Sequence, residues 1–185
     1  RKILIEPDPI LRKKCAPLET VDNETRKLMK DMLETMYRAP GIGLAAIQIG
    51  ILKRLIVIDL SKDEEKKNPL FFVNPEIIYR SKNTSVYEEG CLSFPEIRGD
   101  IARPERILVR YQDLDGAHHE LECDGLLARC IQHEVDHLQG ILFIDRMEKE
   151  AYAEIKAQVK ALKKQTLDCL KEGKLPQVPI PQTEE

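Results

Sequence analysis

Gln132-His-Glu-Val-Asp-His-Leu-Gln-Gly140, QHEVDHLQG, carries two histidines four residues apart with a glutamate directly after the first. On a helix of 3.6 residues per turn, positions 133 and 137 lie about 40° apart around the axis. Both imidazoles can then reach one ion while Glu134 flanks it. The surrounding apolar residues, Leu126, Leu127, Cys130, Ile131 and Leu138, form a stripe that predicts a helix from Leu126 to Gly140. His133 and His137 sit beside that stripe and therefore point inward, where a polar group without a partner is costly. A metal ion supplies the partner.

Two ligands do not hold a catalytic ion tightly, so a third is needed. Glu150 or Glu154, on the next predicted helix, would complete the two-His, one-Glu set of a zinc endopeptidase. Cys130 lies on the same helix one turn before His133, and three turns of one straight helix make a row rather than a cap. Cys91, in Glu88-Glu-Gly-Cys-Leu-Ser93, comes from an extended segment elsewhere in the chain. A ligand from a second element closes a tetrahedron more readily, which favours Cys91 and leaves Cys130 as a small core or pocket-lining residue. Cys15, Cys123 and Cys169 have no His or acidic spacing around them and read as ordinary buried or half-buried thiols. His118 and His119 are adjacent in a predicted strand, must point to opposite faces, and read as surface histidines.

Outward from the metal helix the pattern is mixed. Leu28, Met29, Met32, Leu33 and Met36 form the stripe of a helix over about 22–38, started by Asp22 and stopped by Pro40-Gly41. Arg54 to Leu60 reads as a buried strand, and Phe71–Val73 and Ile77–Tyr79 as two further strands around Asn74-Pro75. The alternation of Ile107, Val109 and Tyr111, a turn at Asp113–Gly116, then Leu121 and Cys123, predicts a β-hairpin. A last helix over about 148–171 places Ile155, Val159, Leu162, Thr166 and Leu170 on one side. Residues 173–185 are rich in proline and read as a tail without fixed structure. Helices and strands do not alternate, which indicates an α+β fold in one catalytic domain spanning 1–172.

Composition narrows the function. Of 185 residues, 42% are hydrophobic and 33% charged, the balance of a globular protein. No apolar run approaches the roughly 18 residues of a membrane span, and the first residues lack a signal-peptide core, so the expected location is cytoplasmic. A net charge of −3 gives no general attraction for nucleic acid. Five scattered cysteines do not form a disulfide framework.

Three segments read together carry a family resemblance: Gly41-Ile-Gly-Leu-Ala-Ala-Ile-Gln48, Glu89-Gly-Cys-Leu-Ser93 and His133-Glu-Val-Asp-His137. In that order and spacing they resemble the three signature motifs of the peptide deformylases, and the resemblance covers Ile3 to about Met147. It implies that family's fold, with mixed and antiparallel sheets around a central helix bearing the two histidines. The long C-terminal helix resembles the form found in Gram-negative bacteria and organelles. The resemblance further implies Cys91, His133 and His137 as ligands of one divalent ion, natively Fe(II) and replaceable by Zn, Ni or Co. Glu134 would be general base and then acid, with Gln48 and the Leu92 N–H as oxyanion donors. Ile42, Gly43, Gly90, Arg98, Leu126 and Cys130 match positions that bind substrate or line its methionine pocket. The implied substrates are N-formylmethionyl peptides and nascent chains, with formate released. Such chemistry suits the residues, because a cation with one open position lowers the pKa of its water toward ~7. Two departures stand out: Arg129, where a pocket-lining aliphatic residue is expected, and Phe94 after the serine. Six lysines between Lys156 and Lys174, against Asp168 and Glu172, form a basic stretch. Docking to ribosomal RNA through it is an expectation for an enzyme of nascent chains.

Overall fold

In the computed structural model, residues 1–176 are described. Helix α1 (Asn23–Arg38) begins where the Asp22 carboxylate accepts from the Thr25 N–H at 2.8 Å and the Thr25 hydroxyl at 2.9 Å. Strands β1 (Gly43–Ala45), β2 (Leu55–Ile58), β3 (Leu70–Arg80), β6 (Arg106–Gln112) and β7 (His118–Asp124) form an antiparallel sheet in the order β1-β2-β3-β6-β7. Strands β4 (Thr84–Cys91) and β5 (Phe94–Pro104) make a separate two-stranded ribbon. Helix α2 (Gly125–Leu138) carries both histidines, and α3 (Lys149–Lys171) closes the described chain.

The run Leu55-Ile-Val-Ile58 is apolar at every position because both faces of its sheet are covered. Leu55 and Val57 pack with Val73 against Met29, Met32 and Met36 of α1. Ile56 and Ile58 pack with Phe72 and Val109 against Ala128, Ile131, Val135 and Leu138 of α2. The metal helix is thus central, and every residue from Ala128 to Leu138 is buried. The ribbon has its own core, in which Phe94, Ile97 and Ile101 meet Phe143, Ile155 and Val159.

The structure departs from the sequence expectations in three places. The two short strands expected around Asn74-Pro75 are one strand, β3. Asn74 takes a positive φ of 52°, and the β3–β6 register shifts between Val73 and Glu76. Its amide pairs with both backbone groups of Leu18 at 2.8 Å, which repays the unusual conformation. Strand β5 carries no clean apolar alternation, because Gly99 and Arg103 occupy two of its buried positions. On α3, Leu170 is exposed rather than packed, since the helix runs past the ribbon that buries Ile155 and Val159. The expected tail begins at Gly173; residues 174–176 have no regular structure, and 177–185 lie outside the described residues.

The turn after α2 anchors the metal helix to the N-terminal segment. Cys15 donates its N–H to Leu138 O at 2.9 Å, and Gly140 has φ 74° at a point where an added Cβ would run into the backbone of Arg12 and Lys13. A Cβ here meets both left-handed strain and backbone that cannot yield. Gly140→Ala is expected to lower unfolding free energy by about 1–3 kcal/mol from strain alone, read as a lower urea midpoint at unchanged slope.

Candidate metal centre

Cys91 stands at the end of β4, and His133 and His137 lie one turn apart on α2. One ligand atom from each, sulfur or ring nitrogen, lies within 4.8 Å of the others, the one such three-residue group among the described residues. Cys91 Sγ is 3.4 Å from His137 Nε2, and the two rings are 5.2 Å apart between centroids. His133 Nδ1 meets Glu89 Oε1 at 2.8 Å, which leaves Nε2 for the ion. His137 Nδ1 is buried without a partner among the described residues, so the ring's one polar contact there is from Nε2 to Cys91. Glu150 and Glu154 are not part of the group, and neither is Cys130, whose thiol is pushed up to about 12 by burial and by Glu134. Two of the three sources considered for the third ligand are thereby removed.

The electrostatics of the group fit a cation. Burial opposes charge on His133, yet its contacts with Cys91 and Glu89 raise its pKa well above the usual imidazole range. Burial and the neighbouring His133 push His137 well below that range. A thiol and two imidazoles converging in a buried site are a donor set that suits a divalent ion, which would bind the rings in their neutral form.

Glu134 is buried beside the group, and burial pushes its carboxyl up to about 7. Its Oε2 has no partner among the described residues. Gly43 makes room for it, since a Cβ at that position would stand 2.7 Å from Oε1. Gln48 lies in a short 3-10 turn, Ala46–Ile49, where Oε1 accepts from the Ala45 N–H at 2.9 Å. That bond turns Nε2 toward Ser93 Oγ at 3.1 Å and Cys91 Sγ at 3.6 Å. A cleft of about 880 Å³ opens onto the group, and its walls include Gly43, Gly90, Leu92 and Cys130. Ile42 and Leu126 stand half-exposed on the same walls, and Arg98 is paired with Glu88 at 2.9 Å. Gln48 and His137 are buried beside these residues.

A family model for polypeptide deformylase matches residues 1–152. The chain belongs to the peptide deformylase family. A peptide deformylase of Rhizobium meliloti (strain 1021) is 54% identical over 149 residues, which is 80% of this chain and 86% of that one. One of Phenylobacterium zucineum is 52% identical over 165 residues, covering 87% and 98%. Among solved structures, Arabidopsis thaliana peptide deformylase 1B in complex with an inhibitor gives a TM-score of 0.86 at 34% identity, covering 98% and 97%. The Legionella pneumophila deformylase gives 0.80 at 40% identity, covering 90% and 97%.

Several residues around the metal group were not singled out from sequence. Glu89 accepts from His133, from Arg103 at 2.6 and 3.0 Å, and from Arg129 at 2.6 Å. Burial alone would raise its pKa, but His133 and Arg103 bring it down to about 2. Arg103 also donates to Asp136 at 2.9 Å, and Asp136 in turn accepts from Arg146 at 3.0 Å. The signal for Glu89 is its spacing from Cys91, because residues two apart on a strand share a face. Arg129 does not present an aliphatic wall in place of the residue expected there. Its guanidinium is drawn into the Glu89 cluster although the residue still borders the cleft.

Proposed function

We propose that the enzyme removes the formyl group from the N-terminal formylmethionine of nascent polypeptides and releases formate. The observation that carries this reading is the convergence of Cys91, His133 and His137 with an unpartnered carboxylate oxygen of Glu134 at the base of the cleft. Cys91 Sγ and one nitrogen of each histidine would hold one divalent ion. When bound, an ion with an open position makes water a nucleophile near neutral pH and polarises the formyl oxygen. Glu134 would take a proton from the attacking water on its free Oε2 and return it to the departing amine. Its burial beside the ligands and the free Oε2 suit a group that takes a proton and gives it back. The Gln48 amide, locked by Ala45, and the Leu92 N–H meet the negative charge that develops on the carbonyl oxygen, each worth roughly 3 kcal/mol. Ile42, Gly43, Gly90, Arg98, Leu126 and Cys130 border the cleft where the formylmethionyl chain lies. Formate release from formyl-Met-Ala-Ser by metal-loaded protein tests the reading, and absence of formate with the metal bound overturns it.

Fe(II) is the ion proposed for the cell. Both Fe(II) and a half-buried thiolate are oxidisable. Iron-loaded enzyme is therefore expected to lose activity within an aerobic incubation that nickel-loaded enzyme survives. Equal lifetimes would count against the assignment.

Residues 1–172 act as one catalytic unit in this reading, placed in the cytoplasm beside emerging chains; no described helix is long and apolar enough to cross a membrane. Lys156, Lys160, Lys163, Lys164 and Lys171 stand on α3, with Lys174 just beyond its end, a basic stretch suited to ribosomal RNA. Co-sedimentation with ribosomes should fall steeply with salt, and absent or salt-insensitive binding argues against docking there.

A further inference from the structure

The two faces of α2 are held by different physics. One face packs apolar side chains on the five-stranded sheet. The other presents Arg129, Gln132, His133 and Asp136, spaced i, i+3, i+4 and i+7, to the ribbon, and all four are buried. Gln132 donates to Pro104 O at 3.0 Å, and Asp136 meets Arg103. The ribbon carries Cys91 and α2 carries both histidines, so this polar seam sets where the thiolate stands relative to the imidazoles.

We infer that Arg129 is a positioning residue for the metal centre, whose guanidinium ties β4 and β5 to α2 at the open end of that seam. This rests on the metal-site reading above. Arg129 Nη1 donates to Glu89 Oε2 at 2.6 Å and Ile101 O at 3.0 Å, while Nη2 donates to Ser85 O at 2.7 Å. Tyr87 lies against the guanidinium with its ring centroid 5.4 Å from Cζ. One planar group thus binds the backbone of both ribbon strands and the carboxylate that orients His133. With Arg103 and His133 on its other lone pairs, Glu89 has all four acceptor positions filled. A lysine keeps the charge but offers no flat fork, so it cannot reach the three acceptors together.

The test uses the full chain loaded with Co(II). It follows the sulfur-to-cobalt charge-transfer band and the rate at which a chelator removes the ion. Arg129→Met and Arg129→Lys are both expected to release cobalt faster than the unaltered chain, by up to the ~10–100-fold in affinity that loss of a ligand's own partner costs, since Arg129 acts on His133 through Glu89. A weakened charge-transfer band should accompany the faster release. A merely structural residue would instead lower the unfolding midpoints of the metal-free and metal-bound forms alike and leave release from folded protein unchanged. Release at the unaltered rate with an unaltered band overturns the inference, even if KM for formyl-Met-Ala-Ser rises, because Arg129 would then be only a wall of the cleft. Should Arg129→Met fail to fold, folded Arg129→Lys decides, and an unaltered release rate there overturns it equally. An unaltered chain that takes up no cobalt fails the metal-site reading itself, a separate result.

Discussion

Glu134→Gln is expected to leave the enzyme folded and metal-loaded while lowering kcat by about 10²–10⁴-fold, the range for a positioned acid–base group. The substitution keeps the shape that Gly43 accommodates, since the carboxylate Oε1 already lies close to that backbone. It removes only the ability to take a proton and give it back. No ligand is touched, because Glu134 stands beside the three-residue group rather than in it. KM for formyl-Met-Ala-Ser should stay close to that of the unaltered chain, since the change acts on proton transfer rather than on binding. Formate release with parallel metal analysis distinguishes the outcomes. Turnover within a few-fold of the unaltered chain, at full metal content, would remove Glu134 from the reaction.

How much of this was legible in the sequence depends on where apolar periodicity survives. Helix α1 was readable from Leu28, Met29, Met32 and Met36 with Asp22 as cap, and each of them is used as its pattern indicates. Helix α2 was readable from one face only. Its stripe located the sheet-facing side, but full burial from Ala128 to Leu138 depends on charged partners supplied by β4 and β5. Those partners are what a single-residue pattern cannot show. Arg103 looks like a surface residue in Ile101-Ala-Arg-Pro104, yet it is buried between Glu89 and Asp136. The same masking hid β5 as a strand. A buried arginine and a glycine break the period that marks a half-buried strand. Asn74-Pro75 misled for a different reason: a turn signal was absorbed as a bulge because the amide found Leu18, far away in sequence. The metal ligands were legible because chemistry restricts them more tightly than packing does. Few residue types bind such an ion, so the two histidines at helical spacing narrowed the third ligand to a short set, from which the need for a second element favoured Cys91.

Cys91→Ser is expected to cost the enzyme its metal and nearly all of its formate release. His133 and His137 sit on successive turns of one helix, so of the three only Cys91 would reach an ion from another element. A serine hydroxyl is a harder and far less acidic donor than a thiol. Loss of a direct ligand should exceed the ~10–100-fold drop in affinity that follows loss of a supporting partner, so the variant should purify with little bound ion. The fold should persist, because the Cys91 sulfur is only half-buried and its polar neighbours are the Gln48 amide and the histidine rings. Circular dichroism like that of the unaltered chain, with metal content near zero, is therefore the expected result. Stoichiometric metal in Cys91→Ser would require another ligand to close the site. Cys130 is the nearest thiol by sequence, and for it to serve, a side chain now buried beside Glu134 would have to turn out of the α2 core. The Cys91→Ser, Cys130→Ser pair separates these cases: an ion lost only in the double variant would show substitution of one thiol for the other, whereas an ion lost in the first variant alone fixes Cys91 as the ligand.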